Sequence, residues 1–460
     1  MKYLLNTFKI ILSLMLSVHL TALYGQSYNH LNARHPPDWF TEGCTYQLMP
    51  RCFSAEGTLK GAERELERLC ELGVKVVYFT PLTVADTDMD RTMWSPRQIK
   101  SGFNDPRNMY RAYDYFHVDS EYGTDQDLKD FIAHAHRLGM KVFLDLVFAH
   151  CGPTAPILTR HPEYFKRTEN NEIKLTGWHF PEFDFSYCGT RAYFRSVMTY
   201  YVADFDVDGF RCDVADLIPI DFWEEVRGEL DRLDKDLVIM AEGRAHYNTR
   251  YAFDGNYCWN TLFLSVLKVL HGDRKVLEEE GGADFIRKTM LGYYGQCPKG
   301  TLIWNMTENH DTSTDDFENR QEKVYGNDNC ELSLAFCFAL EGVPLLFSGQ
   351  EVAYDKRVSM FGHEGVWIDW EECMKQPAAQ KRTELIKKWN QMRRDYSSLA
   401  HGETVWVEND NPSKVCSFIR HDGRSKDILF VANCSDSEVK VRLENGKRFT
   451  LAPWGYYFGE

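Results

Sequence analysis

The stretch DGFRCDVADL, Asp208 to Leu217, begins as a buried strand and ends in charge. Strand side chains alternate, so Arg211 and Asp213 fall on one side and Cys212 on the other. An ion pair at the end of an apolar run costs desolvation unless the chain uses it. The same kind of run recurs along the chain. TYQLM (45–49), KVVYFT (75–80), KVFLDLV (141–147), DGFRCD (208–213), LVIMAE (237–242), YAFDGN (251–256), LIWNMTE (302–308) and VPLLFS (343–348) make eight β-type segments separated by helical patterns. Eight β/α alternations over some 350 residues point to a (β/α)8 TIM barrel. A doubly wound sheet is the alternative, but no glycine-rich loop follows the first strand, which removes its nucleotide-binding version.

The helices between the strands carry their own signals. Leu59, Ala62, Leu66, Leu69 and Cys70 share one helical face that Gly73 ends. GTDQD places Thr124 as N-cap three residues before Asp127, ahead of the apolar face Leu128, Phe131, Ile132, Ala135 and Leu138. Two connections, 81–113 and 151–187, are too long for ordinary βα loops. After a last helix near 380–396 the pattern turns to strands, ETVWVE, KVCSFIRH, DILFVANC, EVKVRL and GYYFGE. The expected organisation is a catalytic barrel over 26–398, with 151–187 as a short insertion after strand three, and an antiparallel β-sandwich domain over 399–460.

Residues 1–25 combine Lys2 and Lys9 with an apolar run and small residues near Gly25, the pattern of a cleaved secretory signal. A membrane anchor is the competing reading, but the run is shorter than the ~20 apolar residues a spanning helix needs. The expectation is export to the periplasm or medium, with no membrane partner after cleavage. A formal charge of −15 argues against a nucleic-acid partner, which would need a basic stripe. Thirteen cysteines without repeated short spacing read mostly as small buried hydrophobes, and no CxxC or Cys/His cluster suggests zinc.

Barrel enzymes place their chemistry at the C-terminal strand ends. There the chain puts Asp145 and His150 after strand three, Arg211 and Asp213 on strand four, Glu242 on strand five, and Asn309, His310 and Asp311 after strand seven. Taken singly, Asp213 could cap a helix, Glu242 could pair with Arg244, and Asp311 could serve a turn. Taken together, carboxylates from four strands with an arginine and a histidine between them suit glycoside cleavage. In that reaction one carboxylate attacks the anomeric carbon and a second protonates the leaving oxygen.

YQLMPRCF (46–53), DLVFAH (145–150), DGFRCD (208–213), MAEG (240–243) and ENHD (308–311) resemble, in order and spacing, the motifs of the α-amylase family of glycoside hydrolases, family 13. The resemblance covers essentially all of the chain after the leader. It implies Asp213 as nucleophile, Glu242 as general acid/base and Asp311 as the carboxylate that positions the sugar. It further implies Arg211 orienting Asp213, and His310, Tyr110, His150 and Asn108 around the reacting sugar, with Asp145 as a brace. The implied activity is retaining hydrolysis of α-1,4 bonds in starch-like polymers or maltooligosaccharides. An α-glucosidase or transglycosidase on short α-glucosides, or a silent carbohydrate-binding relative, are the alternatives.

Several family positions are changed. Ala149 stands before His150 where the family usually has Asn, and Asp216 and Leu217 stand where α-amylases often have Lys-His. Asn108 replaces a common His two residues before Tyr110. The missing Asn and His often surround a structural calcium ion, which needs several oxygen ligands. The expectation is that this calcium site is absent and that no cofactor is required. Trp178, His179 and Phe180 could line the cleft or pack the insertion's own core. Oligomeric state is not legible.

Overall fold

The computed structural model describes residues 27–313, 319–362 and 366–460; the leader expected over 1–25 lies outside them. Eight parallel strands, β1 (Cys44–Leu48), β2 (Val74–Phe79), β3 (Lys141–Leu146), β4 (Gly209–Cys212), β5 (Val238–Ala241), β6 (Gly255–Tyr257), β7 (Leu302–Asn305) and β8 (Val343–Phe347), form a barrel. They close in the order β1-β8-β7-β6-β5-β4-β3-β2. The register sets Asp145 beside Arg211 and Arg211 beside Met240, so β3, β4 and β5 end together.

The barrel interior is filled by large rings. Trp304 and Tyr78 stack at 5.2 Å, and Phe143 packs against Phe40 at 5.8 Å. Gly209 explains the glycine in the opening motif. A Cβ there would lie 2.6 Å from Phe143 Cε1 and 2.4 Å from the Val238 carbonyl, so only glycine lets β4 pass the ring. Outside the barrel, the helix Asp125–Arg137 buries Leu128, Phe131, Ile132 and Ala135. Each large apolar side chain on that face contributes roughly 1.5–3 kcal/mol by burial. Its first turn closes with a capping box between Thr124 and Asp127.

Two expectations need correction. The face from Leu59 to Leu72 is two short helices, Leu59–Glu63 and Leu66–Leu72, with Glu65 out of helical geometry between them; Gly73 then ends the second at φ 91°. Strand six was expected over 251–256 but runs Gly255–Tyr257. Tyr251 is exposed, and Asp254 is a buried anchor that accepts Arg227 Nη1 at 2.8 Å and the Ile239 N–H at 2.7 Å. The apolar-looking run YAFD is therefore the approach to the strand, and the pairing starts where the anchor ends.

The connection after β2 carries a small hairpin, Thr83–Ala85 with Ala112–Val118. The insertion after β3 is pinned by rings, with Phe183 4.5 Å from Phe165 and 4.8 Å from Phe194. Beyond the last barrel helix, Pro377–Asp395, come β9 (Glu403–Trp406), β10 (Val415–His421), β11 (Ile428–Asn433), β12 (Val439–Arg442), β13 (Arg448–Leu451) and β14 (Tyr456–Gly459). Strands β9-β10-β11-β14 form one antiparallel sheet and β12-β13 a hairpin. One face of the sheet packs on the barrel through Phe430 and Phe336, 4.9 Å apart. The other buries Val415, Leu429 and Val431 against Val439, Val441 and Leu451 of the hairpin. All thirteen cysteines are free thiols and most are buried, as expected of small apolar side chains. No helix among the described residues is long and apolar enough to cross a membrane.

Candidate active site

Arg211 is the centre of the barrel mouth. Its side chain is fully buried and its two terminal nitrogens serve three carboxylates. Nη1 donates to Asp145 Oδ1 at 2.6 Å and to Asp213 Oδ1 at 2.9 Å, while Nη2 donates to Glu242 Oε2 at 2.8 Å. Its guanidinium lies over the Tyr257 ring at 5.3 Å. Asp145 is a brace, since its other oxygen accepts Tyr78 OH at 2.7 Å and Tyr110 OH at 2.9 Å. The question raised by the opening stretch has its answer here: the arginine at the strand's end ties the ends of β3, β4 and β5 together.

Val214, directly after Asp213, sits at φ 38°, in the left-handed region that β-branched residues avoid. That turn aims its N–H at Glu242 Oε2, 2.9 Å away. Glu242 Oε2 therefore receives two donors, and Oε1 carries no hydrogen bond among the described residues. Asp216 belongs to the same turn. It accepts the Arg244 N–H at 2.6 Å, an approach that Gly243 permits, because a Cβ at 243 would lie 2.7 Å from Asp216 Oδ1.

The third carboxylate, Asp311, comes from the loop after β7. His310 beside it has a defined tautomer, because Gln47 Nε2 donates to its Nδ1 at 2.8 Å and leaves the proton on Nε2. That Nε2 lies 2.5 Å from Tyr110 OH, which passes its own proton toward Asp145. Tyr110 and His310 stack at 5.1 Å. Asp311 Oδ1 accepts Arg97 Nη1 at 2.6 Å, and its main-chain oxygen accepts Nη2 at 2.9 Å.

Two further candidates bond the backbone of Tyr110. His150 is buried, bonds the Tyr110 carbonyl through Nε2 at 2.9 Å, and lies against the rings of Trp178 and Phe180 at 5.6 and 5.0 Å. Phe180 is thus part of the packing behind His150. Asn108 turns its Oδ1 to the Tyr110 N–H at 3.0 Å, so it fixes the tyrosine's backbone. The residues at the family's calcium position do not fit that ion. The carbonyl of Ala149 is taken by the Phe183 N–H at 3.1 Å, and the Leu217 side chain is apolar and exposed.

Burial raises Asp213 well above the usual carboxylate range; Arg211 opposes this, and the charges of Glu242, Asp145 and Asp311 add to it. Burial likewise raises Glu242, against Arg211 and with Asp311. Asp311, whose side chain is only partly buried, is held low by its neighbours His310, Arg97 and Arg211. Burial pushes His310 and His150 down to about 4, so both rings are neutral near pH 7. Four carboxylates thus meet the two guanidinium groups of Arg211 and Arg97. Asp213 and Glu242 share one arginine, and both carboxyls are raised in affinity for a proton.

No role was legible for Arg97, Gln47, Tyr78, Tyr257 or Val214 before the fold was known. Gln47 lay inside a quoted motif. Arg97 sits in a long loop with no periodicity and meets Asp311 across 214 positions of chain, so no local signal marks it.

Comparison with known proteins agrees with this geometry. The family model described as the alpha amylase catalytic domain matches residues 23–182 and 173–411. A cyclomaltodextrinase of Geobacillus thermopakistaniensis is 24% identical over 88% of this chain and 71% of its own length. A maltogenic alpha-amylase of Bacillus acidopullulyticus is 25% identical over 90% of this chain and 73% of its own. Among solved structures, the maltogenic alpha-amylase AmyB of Thermotoga neapolitana superposes with a TM-score of 0.72 at 25% identity, covering 91% of this chain and 96% of that one. With the barrel, the strand-end carboxylates and the matched domain in agreement, the chain belongs to the α-amylase family and is a glycoside hydrolase.

Proposed function

We propose that the enzyme hydrolyses α-1,4-glucosidic bonds of maltooligosaccharides and related α-glucans with retention of configuration. The carrying observation is the single guanidinium of Arg211 bonded to both Asp213 and Glu242. A shared arginine holds the two carboxyls close, which suits the retaining geometry of about 5–5.5 Å. In this reading the Asp213 carboxylate attacks the anomeric carbon as the bond to the leaving oxygen breaks. Glu242 gives that oxygen its proton from Oε1, the oxygen that Arg211 and Val214 leave free, while Oε2 stays locked as acceptor. Water then enters; Glu242 takes its proton, and the oxygen that remains attacks the anomeric carbon and releases Asp213. Asp311, kept ionised, accepts hydrogen bonds from sugar hydroxyls as the ring flattens. The relatives named as cyclomaltodextrinases and maltogenic amylases support substrates built of short α-1,4-glucan, linear or cyclic. Export through the leader at 1–25 belongs to the same proposal.

The test is product analysis after incubation with soluble starch, maltooligosaccharides, trehalose, sucrose and an α-1,6 oligosaccharide, with Asp213→Asn as control. Cleavage of the α-1,4 substrates with α-anomeric first products is expected. No cleavage of any α-glucoside would overturn the proposal, and equal activity in the control would overturn the role of Asp213. Activity should survive a chelator; collapse restored by calcium alone would show that the changed positions are not the ion's only holders.

A further inference from the structure

A second arginine clamp lies across the closed strand order from Arg211, where β7, β8 and β1 end side by side. Glu308 follows β7 and stands directly before Asn309, His310 and Asp311. Its side chain and that of Arg320 are almost wholly buried, and both carboxylate oxygens are taken. Oε2 accepts Arg320 Nη2 at 2.7 Å, and Oε1 accepts the Gln321 N–H at 3.2 Å. Arg320 Nη1 donates to the carbonyl of Ser348, just past β8, at 2.7 Å. Gly349 makes room for it, since a Cβ there would lie 2.7 Å from that nitrogen. Ser348 in turn gives its N–H and its hydroxyl to the Gln47 carbonyl of β1, at 3.1 and 2.9 Å. The Gln47 side chain then holds His310 twice, accepting its N–H on Oε1 at 3.1 Å and donating Nε2 to the ring's Nδ1 at 2.8 Å. The chain of bonds leaves the turn at Glu308 and returns to it at His310, by way of the ends of β8 and β1.

Asp311 hangs within that circuit. Asn309, fully buried, accepts the N–H groups of Asp311 and Thr312 on its Oδ1 at 3.0 and 3.1 Å, and Thr312 Oγ1 accepts the Asn309 N–H at 3.0 Å. The residue that sets the peptide of Asp311 therefore has Glu308 on one side and His310 on the other, both tied down. Taking an ion pair out of water is costly, and an apolar pair of the same volume would fill the space without that cost. What the charged pair adds is a fixed geometry at the turn. Resting on the function proposed above, we infer that Glu308 and Arg320 are positioning residues, whose buried pair holds the turn so that the Asp311 carboxylate meets the reacting sugar in place while neither residue touches substrate.

A double-mutant cycle on the nitrophenyl glycoside of maltotriose tests this. Two changes are made to the clamp. Glu308→Gln keeps the shape without the charge, and Glu308→Met combined with Arg320→Met removes both charges while keeping the volume filled, so that the fold is retained. Each is placed in the wild-type enzyme and in Asp311→Asn, and kcat, KM and the thermal midpoint are read for all. In the wild-type background kcat should fall about 10–100-fold with KM changed less than about threefold, because a displaced carboxylate is missed chiefly in the transition state. In the Asp311→Asn background the same changes should lower kcat by less than about threefold. A loss of equal size in both backgrounds would mean that the pair supports the fold alone. An unchanged kcat in either folded variant would mean that the turn keeps its place without the pair. Each of these overturns the inference and leaves the hydrolase reading standing. Asp311→Asn as active as the wild type, or no cleavage of any α-glucoside, overturns the reading of the site and the inference with it.

Discussion

Asp208 and Asp213 stand at the two ends of β4 and are held in opposite ways. At the lower end, Asp208 is fully buried among donors: His136 Nε2 at 2.6 Å, Lys141 Nζ at 3.0 Å and the Val142 N–H at 2.9 Å, with Lys235 Nζ 3.4 Å away. Burial alone would raise its carboxyl, but His136, Lys235 and the Val142 N–H together hold it below the usual range. At the upper end, Asp213 has one arginine, shared with Asp145 and Glu242, and is pushed up. One end of the strand uses charge to hold the fold together, and the other gathers more negative charge than the fold alone would choose. That division of stability from chemistry between barrel faces is general to the architecture.

The largest effect should come from breaking the upper end. Asp213→Asn removes the proposed nucleophile, so kcat should fall on the order of 10⁴-fold or more. The same change removes one of the crowded negative charges, so the thermal midpoint should hold or rise. A variant that loses activity together with its folded state would contradict this contrast.

Asp208→Asn is the complementary break. It leaves His136, Lys141 and Lys235 without their buried counter-charge and should cost about 1–3 kcal/mol at pH 7, with kcat unchanged. The pH dependence has a definite sign. The native carboxyl is depressed, so its contribution is complete above the unfolded value of about 3.9 and is lost as pH falls through the lower native value. Urea unfolding of both proteins should therefore give curves well separated at neutral pH that draw together in strong acid. A gap that widens toward acid would mean that Asp208 is not held as a paired carboxylate.

Both aspartates were visible in the sequence as part of one strand, because period-two alternation survives burial on both faces. The eight strands and the strand-end carboxylates were legible for the same reason, whereas the brace through Asp145 came only from the resemblance to the family. What could not be read depended on contacts distant in sequence or on single backbone angles. YAFD looked like a strand because Phe253 and Ala252 are buried, yet the register is set by Asp254 meeting Arg227 and the Ile239 N–H. Asn108 and His150 were expected around the sugar by resemblance to the family, and what could not be read is that Asn108 Oδ1 and His150 Nε2 bond the backbone of Tyr110. Arg97 required knowing that its segment meets Asp311.

The smallest effect, and the sharpest reading of the upper end, concerns Val214. A left-handed valine costs about 1–3 kcal/mol, and the bond from its N–H to Glu242 Oε2 is what that conformation supplies. Val214→Gly removes the strain, since glycine takes this backbone freely, and gives up the burial of a half-exposed side chain, worth on the order of 1 kcal/mol. The two changes oppose each other, so stability should move by less than about 1 kcal/mol in urea titration. The freer turn presents its N–H less steadily to the Glu242 carboxylate. A weaker bond to the charged form raises the acid's pKa further, and the basic limb of kcat/KM should shift to higher pH. A loss of several kcal/mol with an unmoved pH profile would instead mean that Val214 is held in this conformation by its packing and contributes nothing to the state of Glu242.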